Sequence, residues 1–322
     1  MEPSLMRIID VFLEGAKRPL IVIVGPTASG KTALSFEIAR HIEPKCEIVN
    51  ADSRQLYKYL DIGTAKVTLE DTQGIPHHLL SVKDPKEEVT VAWFQEEALR
   101  IIDDILSRGK VPLLVGGSML YVSAITDGLT LGPSPDSALR IRLEEEYDRD
   151  GGERLYRRLQ TVDPDAAAAI HPSNKPCVVR AMEIYVLLRQ PKSLTVKREK
   201  CSYDLLLLGV RLKREELLRR ITERTEKMLG CHPERAERVE GWVEEVRGLL
   251  ARGYEASDPG MRSHGYREIC QFLRESEGSD GSEGIEDARE KLKQRIIMKT
   301  RQYAKRQMTW WRSDSRIRWV SA

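Results

Sequence analysis

Leu20-Ile21-Val22-Ile23-Val24-Gly25-Pro26-Thr27-Ala28-Ser29-Gly30-Lys31-Thr32 is the stretch from which the rest of the chain can be read. Five β-favouring apolar residues in a row suit a strand buried on both faces. The eight residues after them satisfy GxxxxGK[ST] without deviation, and a helix-forming stretch, Thr32 to His41, follows. That strand–loop–helix context is what a phosphate-binding loop requires. Backbone N–H groups of the loop and of the helix N-terminus form an anion cradle. Glycines let the backbone wrap close to phosphate oxygens. Lys31 adds a point charge, and the Thr32 hydroxyl is a ligand for Mg²⁺. Gly25, Pro26, Thr27, Ala28, Ser29, Gly30, Lys31 and Thr32 are therefore expected to surround a di- or triphosphate.

Moving outward, Glu47–Asn50, His78–Leu80, Val111–Val115 and Leu205–Val210 read as further strands, with helical patterns such as Ala92–Leu106 between them. Apolar runs alternating with helices predict βαβ units and an α/β fold with a doubly wound parallel sheet. The strand signal stops after Leu131, and Gly132-Pro133-Ser134-Pro135 is a clear break. Helical stretches, Ala138–Arg149 and Val178–Leu188 among them, fill the chain to about residue 195. The expected organisation is a core built from 1–132 and 199–322, with a mostly helical insertion at 133–198. The Gly/Ser/Glu-rich stretch 275–287 reads as a flexible loop. A long helix, Ile285–Trp311, is expected after it. Ala288, Leu292, Ile296, Tyr303, Ala304, Met308 and Trp311 form its apolar stripe. Arg295, Lys299, Arg301, Lys305 and Arg306 lie largely off that stripe.

Composition narrows the function classes. Of 322 residues, 41% are hydrophobic and 32% charged, which excludes a mainly disordered chain. No apolar run approaches 20 residues, so no membrane span is expected. The first residues carry Glu2, Asp10 and Glu14 and lack a small-residue cleavage site, unlike a signal peptide. Cys46, Cys177, Cys201, Cys231 and Cys270 are scattered, and no pair makes CxxC. Neither a disulfide framework nor a zinc finger is indicated. A cytoplasmic, monomeric enzyme is expected. The net charge of +2 hides an asymmetry: residues 291–319 hold ten Lys/Arg and one acid, whereas 275–287 hold six acids and no base. Such a basic segment suits nucleic acid, the alternative being a solvated helix face.

A phosphoryl-transfer loop of this type needs a second Mg²⁺ ligand from an Asp ending an apolar strand. Val111–Val115 ends instead in Gly116-Gly117-Ser118. These glycines suit either a close ligand or a plain turn. The acid at a strand end near the loop is Asp52, in Glu47-Ile48-Val49-Asn50-Ala51-Asp52-Ser53. Carboxyl ends of strands line the ligand crevice of a doubly wound sheet, so Asp52 is expected to face the loop's ligand. The alternative is an N-cap for a following helix, a task Ser53 can also perform.

Five blocks now combine. GPTASGKT (25–32), ADSRQLYKYLDIGTAK (51–66), PHHLL (76–80), LLVGGSMLY (113–121) and TRQYAKRQMTWWR (300–312) resemble, in order, the tRNA dimethylallyltransferases, also called tRNA isopentenyltransferases. The resemblance implies a P-loop α/β core with an inserted helical domain, and Mg²⁺ as cofactor. It implies transfer of a dimethylallyl group from dimethylallyl diphosphate to the exocyclic amine of the adenine 3′ of the tRNA anticodon. The diphosphate is then a leaving group, stabilised by Lys31 and the loop N–H groups, with Thr32 as metal ligand and Thr27 near the substrate oxygens. Asp52 becomes the general base. The resemblance assigns tRNA contact to Asp52, Ser53, Arg54, Gln55, Ser118 and Arg140, and to Cys177, Val178, Val179, Arg180 and Ala181. It puts Arg220, with Arg224, near the diphosphate; an exposed helix arginine is the alternative. The basic helix would hold phosphates, gripping tRNA together with the insertion.

Three departures stand out. Ser118 replaces the family's usual Thr but keeps the hydroxyl. Residues 230–240 look longer than the usual link. No Cys/His finger follows the basic helix, as expected of the bacterial form. Competing readings are an enzyme prenylating free adenine nucleotides, a P-loop small-molecule kinase and a non-catalytic RNA-binding P-loop protein. The first needs neither the insertion nor the basic helix, and the kinase needs the missing strand-end acid.

Overall fold

The computed structural model of the chain describes residues 3–42, 45–197, 199–230, 241–276 and 282–321. Helix α1 (Pro3–Gly15) leads into β1 (Pro19–Val24), the phosphate loop and α2 (Lys31–His41). Next come β2 (Cys46–Asn50), the two-residue β3 (His77–His78), α3 (Val91–Ser107), β4 (Val111–Val115) and α4 (Met119–Thr126). A run of helices follows: α5 (Ser137–Asp148), α6 (Glu153–Val162), α7 (Pro164–Ala169), α8 (Lys175–Leu188) and the short α9 (Lys192–Thr195). The chain closes with β5 (Asp204–Arg211), α10 (Arg214–Met228), α11 (Trp242–Ala251), α12 (Tyr266–Ser276), α13 (Ser282–Arg312) and β6 (Arg318–Ser321).

The six strands form one sheet in the order β3-β2-β4-β1-β5-β6, with every pair parallel. This is the doubly wound α/β architecture expected from the strand–helix alternation. In β1, Val22 stands opposite Leu114 on one side and Leu207 on the other. Leu20 to Val24 are fully buried, as a central parallel strand covered on both faces must be. Over one face, Leu5 and Ile9 of α1 and Phe36 and Ile38 of α2 pack with Ile21, Ile23, Leu113 and Leu208.

Several boundaries differ from expectation for local reasons. The strand expected at 78–80 stops at His78, because Leu79 takes a left-handed backbone with φ 60°. Residues 275–287 are not one loop. α12 runs through Ser276 and α13 already starts at Ser282, while 277–281 lie outside the described residues. The acids that suggest a loop also suit a helix start, where the dipole favours negative charge. Of the long stretch 230–240, all but Gly230 lies outside the described residues.

The chain divides into two compact units: Met1–Val89, Glu96–Val122 and Tyr203–Ala322 in one, Thr90–Gln95 and Ser123–Ser202 in the other. The second unit takes in 133–198 together with short flanks. Its core joins Leu139, Leu143, Leu155, Leu159, Val178 and Met182. Two aspartates start its helices, Asp136 accepting from Leu139 N at 2.8 Å and Asp163 from Ala166 N at 3.1 Å.

Within the first unit, α13 packs against α10 and α12. Ile221, Ile297 and Ala304 close around Ala28 of the phosphate loop. Neighbouring protein atoms require both glycines of the Gly116-Gly117 pair, and Gly116 also lines a cavity with the phosphate loop. A Cβ on Gly116 would stand 2.2 Å from the backbone of Ala51, and one on Gly117 would stand 2.3 Å from Gln307 Nε2. The ends of β2 and β4 therefore touch at Gly116. Gly116→Ala is expected to cost about 1–3 kcal/mol, because backbone cannot yield to the added methyl. Gly248→Ala, where nothing lies within 4 Å inside α11, is expected to stabilise by about 0.5–1 kcal/mol. Urea unfolding of the two variants checks both signs.

Candidate functional site: an anion cradle facing a carboxylate

The loop after β1 bends through left-handed backbone at Gly25 (φ 146°), Ala28 (φ 62°) and Gly30 (φ 98°). Gly30 is the N-cap of α2, and no side chain among the described residues caps that helix. Its first N–H groups thus lack the usual side-chain acceptor and suit an anion. Thr27, Ala28, Ser29, Gly30, Lys31 and Thr32 line a cavity of about 240 Å³. Gly25 and Pro26 shape it from outside: their carbonyls accept from Lys31 Nζ at 3.1 and 2.7 Å. Burial lowers the Lys31 pKa to about 8, with Asp52 opposing the shift and Arg224 reinforcing it. Ser29 Oγ is buried and has no hydrogen-bond partner among the described residues.

Asp52 lines the same cavity. No helix follows it, which removes the N-cap reading; the chain makes a turn. Its Oδ1 accepts from Arg54 N at 2.9 Å, closing an Asx-turn, while its own N–H donates to Asn50 Oδ1 at 3.0 Å. Ser118, expected as a tRNA contact, is nearly buried and accepts from Ser53 N at 2.9 Å through its hydroxyl. It also donates from its N–H to Ala51 O at 3.1 Å. It is therefore a brace between two strand ends, and its hydroxyl holds the turn that carries Asp52.

Two arginines of α10 reach this cavity. Arg220 pairs with Glu216 at 2.7 Å, and Arg224 donates to Thr64 O at 3.3 Å. Burial lowers the Arg224 pKa from its ordinary value, opposed by the negative charge of Asp52. Gln55 belongs to the lining, its amide donating to Thr64 O and Ala65 O at 3.2 and 3.3 Å. Ser53 and Arg54 lie outside it and line a separate pocket of about 140 Å³ with Tyr57, Tyr121 and Arg262.

Sequence reasoning missed Gln307. It is 1% exposed, accepts from Thr27 N through Oε1 at 2.9 Å, and donates from Nε2 to Gly117 O at 2.8 Å. It also missed Glu245 of α11. That carboxylate accepts from Asp61 N and Ile62 N at 2.8 and 2.6 Å and so fixes the loop carrying Thr64. Both are polar residues on helices, which periodicity assigns to solvent. A match inside the fifth sequence block is the one available signal for Gln307.

The remaining tRNA candidates lie in the second unit. Val178, Val179 and Ala181 are buried in its core, so their side chains cannot meet RNA. Five consecutive residues cannot share one helix face at 100° per residue. Cys177 and Arg180 are partly exposed. Arg140 and Arg180 both donate to Oε2 of the fully buried Glu183, at 2.7 and 2.6 Å. On the basic helix, Lys299 pairs with the buried Glu268 and serves the core. Arg301, Lys305, Arg306 and Arg312 are exposed. Cys46, Cys177, Cys201 and Cys270 are thiols outside any disulfide, and Cys231 lies outside the described residues.

Among the described residues, no group of three His, Cys, Asp or Glu side chains is arranged for a metal. The donors present do fit Mg²⁺, which binds through one or two protein oxygens plus phosphates and water. Thr32 and Asp52 line one cavity and supply such oxygens. No described helix is long and apolar enough to cross a membrane.

A phosphate loop at the end of a central strand of a parallel sheet, sharing a cavity with Asp52, defines a P-loop α/β protein. The chain belongs to the IPP transferase family, whose model matches residues 55–314. It is 45% identical over 310 residues to the tRNA dimethylallyltransferase of Geobacter metallireducens, covering 95% of this chain and 94% of that one. A crystal structure of tRNA isopentenylpyrophosphate transferase from Bacillus halodurans is 35% identical with a TM-score of 0.65, over 95% of this chain and 90% of that one. A eukaryotic dimethylallyltransferase acting on tRNA is 27% identical with a TM-score of 0.71, over 95% of this chain and 74% of that one.

The low pKa of Lys31 gives a measurable consequence. Free Lys31 loses its proton as pH rises through about 8, and a bound anion favours the charged form. Binding of inorganic diphosphate is expected to protonate Lys31 above pH 8, so the wild-type protein should take up more protons on binding than Lys31→Met, in which only diphosphate's own proton exchange remains. Calorimetry at pH 8.5–9 in buffers of different ionisation enthalpy reads the difference between the two proteins.

Proposed function

We propose that this chain transfers a dimethylallyl group from dimethylallyl diphosphate to the exocyclic amine of the adenine 3′-adjacent to the tRNA anticodon, releasing diphosphate. The observation that carries the reading is a single cavity combining the loop's anion cradle, two arginines and the carboxylate of Asp52. The names of the relatives support the substrate.

In this reaction the bond between the allylic C1 and the diphosphate oxygen breaks, and its electrons leave with diphosphate. The adenine amine forms the new bond to C1, and its proton passes to Asp52. The charge that builds on the leaving oxygens is met by the loop N–H groups, Lys31, Arg220 and Arg224. Thr27, fixed through its N–H by Gln307, faces the substrate oxygens. Thr32, with Asp52 nearby, would hold Mg²⁺, which adds positive charge at the leaving group. The adenine must leave the anticodon-loop stack to react. Arg140 and Arg180, oriented by Glu183, and the exposed cations of α13 are the proposed phosphate contacts.

Incubation with dimethylallyl diphosphate and either undermodified tRNA or AMP tests the reading. Only tRNA should gain the prenyl mass, with no ATP consumed. Asp52→Asn keeps the shape but not the proton acceptor. Single-turnover transfer should fall about 10²–10⁴-fold, with tRNA affinity within a few fold. A rate within threefold of wild type would remove Asp52 from this role.

Reversing Arg301, Lys305 and Arg312 to Glu should weaken tRNA binding. It should flatten the slope of log affinity against log salt by about 0.7–0.9 for each phosphate no longer neutralised. Lys299 is kept out of this set, since it pairs with the buried Glu268 and its reversal would disturb the fold as well as the surface. Filter binding at several salt concentrations checks the slope, and an unchanged slope would make this face a solvated structural one.

A further inference from the structure

We infer that Glu245 is a positioning residue of the anion site: it gathers three successive N–H groups of the loop after the Asp52 turn, and so aims the Thr64 carbonyl that anchors Arg224. This deepens the reading proposed above and rests on it, since that reading sets Arg224 against the charge of the departing diphosphate.

The two arginines of α10 that line the cavity are held differently. Arg220 pairs with Glu216 of its own helix at 2.7 Å. Arg224 has, among the described residues, one hydrogen bond, to Thr64 O at 3.3 Å. A guanidinium has more donors than that, which leaves the others for a bound anion. Burial opposes the charge of Arg224, so its direction is set by this anchor rather than by solvent.

The anchor sits in a loop that α11 grips at two points. Glu245 Oε2 accepts from Asp61 N at 2.8 Å and Ile62 N at 2.6 Å, and Oε1 accepts from Gly63 N at 3.2 Å. One turn earlier on α11, Trp242 lies against Gly63, where a Cβ would stand 2.0 Å from its Nε1. Tyr266 Oη donates to the same Oε1 at 2.6 Å and fixes the carboxylate. With these N–H groups turned to Glu245, the next two carbonyls serve the cavity. Gln55 Nε2 donates to Thr64 O and Ala65 O at 3.2 and 3.3 Å, beside the Arg224 contact. Ala65 takes left-handed backbone, φ 46°, which a residue other than glycine keeps only where its surroundings impose it. Glu245 itself lies outside the cavity lining, whereas Gln55, Thr64, Ala65 and Arg224 belong to it. Hydrogen bonds to a carboxylate are the strong kind. An amide at 245 would turn an NH₂ toward groups that need an acceptor and release part of the loop.

Two double-mutant cycles, read by calorimetric binding of inorganic diphosphate, test this role. Glu245→Gln and Arg224→Gln should each weaken binding about tenfold. The double variant should bind within about twofold of the weaker single one, because both changes withdraw the same guanidinium. Glu245→Gln combined with Arg220→Gln should instead multiply, since Arg220 is anchored within α10. A general loosening of the fold would couple Glu245→Gln to both arginines alike, so it cannot imitate this pattern. The inference falls if either Glu245→Gln or Arg224→Gln binds within twofold of wild type, if their effects multiply, or if Glu245→Gln couples equally to Arg220. Should Glu245→Gln fail to fold, Tyr266→Phe replaces it in both cycles; it removes only the hydroxyl on Oε1, with an expected single effect of about threefold, and the same outcomes decide. The parent reading is tested apart. A wild-type protein that shows this pattern but moves no prenyl group from dimethylallyl diphosphate to tRNA would keep the role of Glu245 at the anion site and lose the proposed reaction.

Discussion

A single buried amide holds this site together. Gln307 accepts from the N–H of Thr27 and donates to the carbonyl of Gly117, so one side chain on α13 ties the loop after β1 to the turn after β4. Both halves of the amide are satisfied within protein, which is the condition under which a buried polar group rigidifies rather than destabilises. Gly117 lacks a side chain so that Gln307 can approach, and Gly116 lacks one so that the end of β4 can meet Ala51. Ser118 then reaches the N–H of Ser53. Through these contacts the phosphate loop, the Asp52 turn and the long helix form one rigid frame. A break anywhere along it would move the anion cradle relative to the carboxylate.

The charges inside that frame are unequal. Lys31, Arg220 and Arg224 line the cavity against Asp52. The lowered pKa values of Lys31 and Arg224 record the cost of burying cations with one opposing charge. A diphosphate removes that imbalance, and it does so most fully when its charge is greatest, after the allylic bond has broken. In the proposed reaction the arrangement would favour the leaving group over the intact substrate, which is the sense in which binding accelerates a reaction.

The sequence makes the centre of this molecule legible and its periphery much less so. β1, β4 and β5 announce themselves because a strand buried on both faces must be apolar throughout. β6 reads Arg318-Trp319-Val320-Ser321, and an edge strand of two exposed and two half-buried residues carries no such pattern. α1 escapes notice because it lies ahead of the first strand, where no βαβ unit requires it, though Leu5 and Ile9 are core residues. Among site residues, the phosphate loop and Asp52 follow from motif and strand-end position. Gln307, Glu245 and Lys299 do not, because helical periodicity sends polar side chains to solvent. Their roles depend on partners 280, 182–184 and 31 residues away. The stretch 177–181 divides for the opposite reason: resemblance marks a contiguous block, while the helix turns Val178, Val179 and Ala181 inward and leaves Cys177 and Arg180 partly exposed.

A carboxylate as the proposed proton acceptor fits the proposed chemistry better than a stronger base would. The adenine amine is a weak nucleophile because its lone pair is shared with the ring, and it holds its proton tightly in the ground state. Only as the bond to carbon forms does the nitrogen gain positive charge, and its proton then becomes acidic enough to pass to a carboxylate. A base matched to the ground state would gain nothing, whereas one effective only late adds stabilisation at the transition state alone. Position then matters more than strength. That is consistent with how Asp52 is held: its Oδ1 is committed to Arg54 N, its own N–H is tied to Asn50, and the neighbouring Ser53 is braced by Ser118.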